Sequence, residues 1–111
     1  MLALSVDERR WLEAYRQALE EKYPGVAERM IIYGSKARGE GHPESDLDVL
    51  LIVPDTHAHL KRELRRIGYM LAATSEAVPS ILAYTQNEWD SRGEIGSPFH
   101  RAVERDGVRV L

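Results

Sequence analysis

The spacing of hydrophobic residues near the start of the chain predicts an amphipathic helix. Ser5 and Glu8, three residues apart, form the sequence pattern of a capping box at its N-terminus. Apolar residues then recur three and four positions apart, which places them on one helical face: Trp11, Leu12, Tyr15, Ala18 and Leu19. The pair Pro24 and Gly25 is expected to end this helix.

Three apolar runs predict the strands of one sheet. The first ends at Tyr33, the second extends from Ser45 to Pro54, and the third extends from Val78 to Tyr84. The second run is almost continuously apolar from Val49 onwards, which is typical of a central strand covered on both faces. Pro79 has no N–H group, so the third strand is expected at the edge of the sheet.

The remaining pattern predicts helices that connect and follow these strands. A long helix is expected over about residues 57–73 because apolar residues recur at helical spacing: Leu60, Leu64, Ile67 and Leu71. A short helix after Gly34, a helical turn over 87–92, a final helix that begins after Ser97 and a terminal strand over 108–111 complete the prediction. This order predicts an α/β or α+β domain, with helices packed on a small mixed sheet.

Composition narrows the classes of function. The chain has 111 residues, which fits a single domain over residues 1–111. The absence of cysteine excludes a disulfide framework, a thiolate metal site and a cysteine nucleophile. A net charge of -3 disfavours a broad nucleic-acid-binding surface, although it leaves such a partner open. Neither a signal peptide nor an apolar run of about 18 residues is recognisable, so a cytoplasmic protein without a membrane partner is expected.

Candidate chemistry is concentrated between the first two strands. Gly34 follows a strand directly, which permits a sharp turn and the close approach of a ligand. Ser35 and Lys36 are expected to open the short helix, whose N-terminal N–H groups suit a phosphate. Asp46 and Asp48 stand two residues apart at the start of a strand, so their side chains are expected to point to the same face.

Two adjacent carboxylates repel each other unless a cation lies between them. Mg²⁺ that also binds substrate phosphates fits this pattern best, because Mg²⁺ prefers oxygen ligands. Phosphate donors opposite a carboxylate pair therefore indicate metal-dependent phosphoryl or nucleotidyl transfer. Two simpler interpretations stay open: a polar turn before a strand for Asp46 and Asp48, and a loop salt bridge for Arg38.

The segment from Gly34 to Asp48 resembles the signature of the DNA polymerase beta nucleotidyltransferase superfamily. It contains a Gly-Ser turn, an Ala-Arg-Gly and a Ser-Asp-x-Asp that leads into an apolar strand. In its small size, the chain resembles the minimal nucleotidyltransferases, or MNT type. This resemblance implies an enzyme that moves a nucleoside monophosphate, AMP from ATP or the equivalent part of another nucleoside triphosphate, to a hydroxyl acceptor.

The resemblance also implies roles for individual residues and partners. Gly34, Ser35, Lys36 and Arg38 would bind the nucleotide, while Asp46 and Asp48 would be the catalytic residues and would hold two Mg²⁺ ions. Proteins of the MNT type often act with a small helical HEPN-type protein in toxin–antitoxin pairs, and some adenylylate that partner. A protein acceptor of this kind is therefore implied, and a homo-oligomer is a further expectation.

One departure from the family pattern suggests an alternative function. The superfamily normally carries a third carboxylate on the next long strand, whereas Ser80 occupies the corresponding position here. Its loss would remove one Mg²⁺ ion and damage chemistry more than nucleotide binding. The alternative is therefore an antitoxin module that binds a nucleotide or a partner with weak or no catalysis. Glu76 shares strand parity with Ser80 and is a candidate substitute, although the chain would have to bend.

Overall fold

Four strands form one mixed sheet in the order β3-β2-β1-β4. Their bounds are β1 Arg29–Tyr33, β2 Leu47–Val53, β3 Pro79–Thr85 and β4 Val108–Arg109. In this computed structural model, which describes residues 2–42 and 44–111, β2 pairs antiparallel to β1 and parallel to β3. The predicted mixed sheet is confirmed, and β3, which begins at Pro79, lies at its edge as expected.

Two helices cover each face of the sheet. Their bounds are α1 Val6–Lys22, α2 Lys61–Ala72, α3 Gln86–Glu94 and α4 Pro98–Asp106. Trp11, Tyr15 and Leu64 of α1 and α2 pack on the face that carries Val49 and Leu51. The opposite face carries Leu50 and Ile52, which pack against α3 and α4 through two buried side chains, Trp89 and Val103. β2 is therefore covered on both faces, as its continuous apolar sequence predicts.

The short helix expected after Gly34 is wrong: residues 35–39 form consecutive turns instead. The N–H group of Arg38 donates to the carbonyl of Gly34 at 3.3 Å, and that of Glu40 donates to the carbonyl of Ser35 at 2.9 Å. Gly39 has a positive φ of 75°, which right-handed helical geometry does not allow. The segment between Gly34 and Gly39 is thus too short for more than a single turn.

Two other elements differ from their predictions. The helix expected over 57–73 begins as a 3₁₀ helix at Asp55–Leu60, interrupted at His57, and becomes α-helical at Lys61. The helical turn expected over 87–92 is the nine-residue helix α3. A capping box formed by Thr85 and Glu88 begins α3, and this sequence signal was missed.

Gly68 allows α1, α2 and β3 to pack closely together. The indole N–H of Trp11 donates to the carbonyl of Gly68 at 2.9 Å. A Cβ atom at Gly68 would lie 2.5 Å from Cδ1 of Ile81 and 2.9 Å from Cζ of Tyr15.

Along the described residues 2–42 and 44–111, none of the helices combines the length and apolarity required to span a membrane.

We expect Gly68→Ala to destabilise the protein although alanine is the better helix former. Overpacking of a core costs about 1–3 kcal/mol, whereas replacing glycine by alanine inside a helix gains at most about 1 kcal/mol. At the middle of these ranges, urea unfolding should show a net loss of about 1 kcal/mol in the free energy of unfolding. A variant as stable as the wild type would show that this contact is not tightly packed.

Candidate active site

The pairing of three strands places Tyr33, Asp48 and Ser80 side by side. Tyr33 of β1 is the register partner of Asp48, and Asp48 is the register partner of Ser80 on β3. Paired residues on neighbouring strands point to the same face, so the three side chains form one row. Asp48 shares strand parity with Leu50, so this row lies on the sheet face that α3 and α4 cover.

Gly34 lies directly against the carboxylate of Asp48. Its φ is +74°, in the left-handed region that favours glycine, and a Cβ atom there would collide with Oδ2 of Asp48. The turn that follows β1 therefore meets the start of β2 at one edge of the sheet. This contact brings together the two halves of the sequence signature, Gly34–Gly39 and Ser45–Asp48, which are five residues apart in the sequence.

The charges around Asp48 oppose one another. Burial raises the pKa of the Asp48 carboxyl, the nearby carboxylate of Asp46 raises that pKa further, and the guanidinium of Arg38 lowers it. Two carboxylates that repel in a partly buried place form a donor set that suits a divalent cation. Mg²⁺ commonly binds one or two carboxylates together with water and substrate phosphates, so Asp46 and Asp48 fit this ion.

Arg38 lies at the surface beside these carboxylates. Its Nε donates to Oε2 of Glu40 at 3.0 Å, and about 40% of its side chain is exposed. The loop salt bridge considered for Arg38 is therefore present. Its charge also reaches Asp48, which leaves Arg38 in a position to meet an anionic ligand.

Lys36 is not presented to the carboxylate pair. Its ammonium group binds Oε2 of Glu8 at 2.6 Å, and only 4% of its side chain is exposed. Glu8 lies in the first turn of α1 and also accepts a hydrogen bond from the N–H group of Ser5. The side chain of Lys36 therefore joins the turn to α1, and its role as a nucleotide contact stays a prediction.

Among the described residues, no third carboxylate forms a metal-binding group with Asp46 and Asp48. Ser80 occupies the place beside Asp48 on β3, and the residues that the structure describes contain no cluster of three or more His, Asp or Glu side chains able to hold a metal. Glu76 lines a separate cleft of about 530 Å³, together with Glu8, Lys36 and His42. Glu76 therefore does not replace the missing acid.

Tyr33 is a neighbour of the site that sequence reasoning missed. Burial and the adjacent Asp48 carboxylate raise the pKa of its hydroxyl to about 12. Its ring packs edge-on against Phe99 of α4, with the ring centroids 5.3 Å apart. The aromatic residue before Gly34 was visible in the sequence, but its place beside Asp48 depends on the strand register.

The comparisons with known proteins identify the family. Residues 12–101 match the family described as the nucleotidyltransferase domain, and the chain belongs to this family. A protein of Methanocaldococcus jannaschii, provisionally named a protein adenylyltransferase, is 36% identical over 47 residues. That match covers 42% of this chain and 47% of the relative, so the chain spans about half of that relative's length.

A solved structure has a similar fold. The crystal structure of a provisionally named nucleotidyltransferase from Sulfolobus solfataricus matches with a TM-score of 0.58 and 16% sequence identity. The match covers 90% of this chain and 76% of that chain. The family match confirms the resemblance of the segment from Gly34 to Asp48, and the similar structure confirms the fold class.

We expect Gly34→Ala to disturb the site more than a matched glycine replacement elsewhere. Gly25 also has a positive φ of 75°, but a Cβ atom there would meet nothing within 4 Å. Gly25→Ala should therefore cost only the backbone strain of about 1–2 kcal/mol. Gly34→Ala should add the displacement of Asp48, seen as a further loss of about 1 kcal/mol in urea unfolding and weaker binding of Mn²⁺ in a paramagnetic titration. Equal behaviour of the two variants would contradict the contact between Gly34 and Asp48.

Proposed function

We propose that this protein is an Mg²⁺-dependent nucleotidyltransferase that moves AMP from ATP to a hydroxyl group. The observation that carries the proposal is the contact between the Gly34 turn and the Asp48 carboxylate, with Asp46 and Arg38 close by. Membership of the nucleotidyltransferase family supports the same reaction. Another nucleoside triphosphate in place of ATP is compatible with these residues.

Each residue has a separate role in the proposed reaction. Gly34 lets the turn lie directly against the Asp48 carboxylate, and the Ser35 hydroxyl would donate a hydrogen bond to the triphosphate. Arg38 offers a positive charge to the phosphates from the surface of the same turn. Asp46 and Asp48 would hold Mg²⁺, which when bound would offset phosphate charge and favour attack at the α-phosphorus.

The transfer exchanges one phosphorus–oxygen bond for another. The oxygen of the acceptor hydroxyl bonds to the α-phosphorus of ATP, and the bond from that phosphorus to the bridging oxygen of the β-phosphate breaks. Pyrophosphate leaves with the electron pair of the broken bond, and the hydroxyl proton passes to solvent. The acceptor must therefore approach the row that contains Asp48, from the side opposite to the leaving pyrophosphate.

We further propose that the acceptor is a protein hydroxyl on a small helical partner of the HEPN type in a toxin–antitoxin pair. The provisional name of the Methanocaldococcus jannaschii relative, a protein adenylyltransferase, supports a protein acceptor. The partner class comes from the resemblance to the minimal nucleotidyltransferases.

A nucleotide-binding or partner-binding antitoxin module is the second candidate function. It is favoured by Ser80, which lies in register with Asp48 where the family pattern has an acid. With only two carboxylates, one Mg²⁺ ion that travels with the nucleotide can still be held, while activation of the acceptor is weakened. Binding of Mg–ATP without transfer would be the behaviour of such a module.

We expect Asp46→Asn and Asp48→Asn to abolish transfer. ATP labelled at the α-phosphate, Mg²⁺ and the product of the neighbouring gene should yield labelled partner with the wild-type protein. Each substitution should lower the rate at least about 100-fold, since the loss of even indirect metal partners costs 10–100-fold. Glu20→Gln, a change of an exposed acid on α1, is the matched control and should retain the wild-type rate. Transfer that survives either aspartate substitution, or that proceeds in EDTA, would exclude the proposed roles.

Ser80→Asp tests the second candidate. A carboxylate beside Asp48 should raise the transfer rate about ten-fold by completing the acidic group, whereas Ser80→Asn, of similar size without charge, should not. Labelling by Ser80→Asp alone, with an inactive wild-type protein that still binds Mg–ATP in calorimetry, would favour the binding module. A wild-type protein that neither labels its partner nor binds Mg–ATP would exclude both candidates.

A further inference from the structure

Two helices of this protein begin with the same arrangement of three polar side chains. At α1 the carboxylate of the capping-box residue Glu8 accepts a hydrogen bond from the N–H group of Ser5 at 2.9 Å. The same carboxylate forms an ion pair with the ammonium group of Lys36 at 2.6 Å. At α3 Glu88 accepts the N–H group of Thr85 at 2.8 Å and binds Lys61 at 2.8 Å. The two arrangements have the same chemistry in different surroundings.

The two ion pairs differ in how far they are buried. The side chains of Lys61 and Glu88 are 28% and 47% exposed, whereas those of Lys36 and Glu8 are 4% and 7% exposed. A buried ion pair loses solvation for both charges, and an apolar pair of similar size is often as stable. Stability alone is therefore a weak explanation for a buried pair between Lys36 and Glu8.

Lys36 belongs to the turn that contacts Asp48. Its carbonyl oxygen accepts hydrogen bonds from the N–H groups of Ala3 at 2.9 Å and Gly39 at 3.3 Å. Its neighbour Ala37 is buried in the main hydrophobic core. Lys36 and Ala37 thus attach the turn to α1, to the residues before α1 and to the core.

The residues on either side of this attachment are the ones that would meet the nucleotide. Ser35 is half-buried and Arg38 is exposed, and the charge of Arg38 reaches Asp48. The stem of Lys36 is also enclosed, because a Cβ atom at Gly41 would lie 2.6 Å from its Cγ. Little alternative space is therefore available to the lysine side chain within the fold.

We propose that Lys36 is a positioning residue whose ion pair with Glu8 sets the conformation of the turn over 34–39. The pair holds Ser35 and Arg38 on the side of the turn that faces Asp48, and it makes the first turn of α1 part of the support of the site. The consequence for nucleotide affinity rests on the proposed function, whereas the consequence for the turn itself does not.

The test uses variants that separate positioning from stability. Lys36→Met keeps an unbranched stem but leaves the Glu8 carboxylate buried without its cation, so this variant should be less stable. Adding Glu8→Gln removes that charge and keeps an oxygen for the N–H group of Ser5, so the double variant should recover most of the lost stability. Lys61→Met with Glu88→Gln is the matched control at α3.

In the double variant of Lys36→Met with Glu8→Gln, we expect stability to be recovered while the turn stays less ordered. Its melting temperature should approach that of the wild type, yet the amide hydrogens of Arg38 and Glu40 should exchange about five-fold faster or more, because the turn is less ordered. Its Kd for Mg–ATP should rise by about five-fold, since the nucleotide must then order the turn. The control pair at α3 should change neither quantity.

Wild-type exchange at Arg38 and Glu40 in the double variant would overturn the proposal, and so would an equal change in the α3 control. Should the double variant fail to fold, Glu8→Gln alone breaks the pair while keeping the cap, and the same exchange measurement decides. Absence of Mg–ATP binding by the wild-type protein would remove the proposed function, while the exchange data would still decide the role of Lys36.

Discussion

The contact between Gly34 and Asp48 is the constraint on which the rest of the site depends. A residue with a Cβ atom at position 34 would collide with the carboxylate and would strain a backbone with a φ of +74°. Glycine alone satisfies both conditions, so β1 can end beside the start of β2 without pushing the carboxylate away. Every other feature of the site is arranged around this close approach.

The central strand β2 connects this contact to the core. Its residues from Val49 to Val53 are buried on both faces, so the backbone that carries Asp48 has little freedom to move. One face is packed by α1 and α2, which also hold the turn through Ala37 and the ion pair of Lys36 with Glu8. Asp48 lies on the other face, which α3 and α4 cover. The contacts that hold the turn and the candidate metal-binding carboxylate therefore lie on opposite faces of the sheet.

Ser80 makes the site both simpler and less complete than the family pattern implies. Its place in register with Asp48 supports the alignment made from sequence, because β2 and β3 are parallel and pair residue by residue. A hydroxyl cannot contribute the charge of a carboxylate, so the local negative charge comes from Asp46 and Asp48 together. On the proposed function, the nucleotide phosphates and the acceptor would supply the remaining oxygen ligands of Mg²⁺.

The sequence by itself determined the elements whose signals are local. The capping box at Ser5, the continuous apolar run of β2, the edge position of Pro79 and the family signature from Gly34 to Asp48 could all be interpreted without coordinates. The prediction of a helix after Gly34 was wrong because the segment is too short for more than one turn. The capping box that begins α3 was present in the sequence and was overlooked.

Only the tertiary structure decided which side chains meet. Lys36 fits a nucleotide site by its position in the motif, yet its charge is paired with Glu8 of α1, which is 28 residues earlier in the chain. Tyr33 and Ser80 flank Asp48 because of strand register, and Glu76 faces a different cleft. The physical reason is that helix and strand signals act over a few residues, whereas the direction of a loop side chain is set by the surfaces that fold around it.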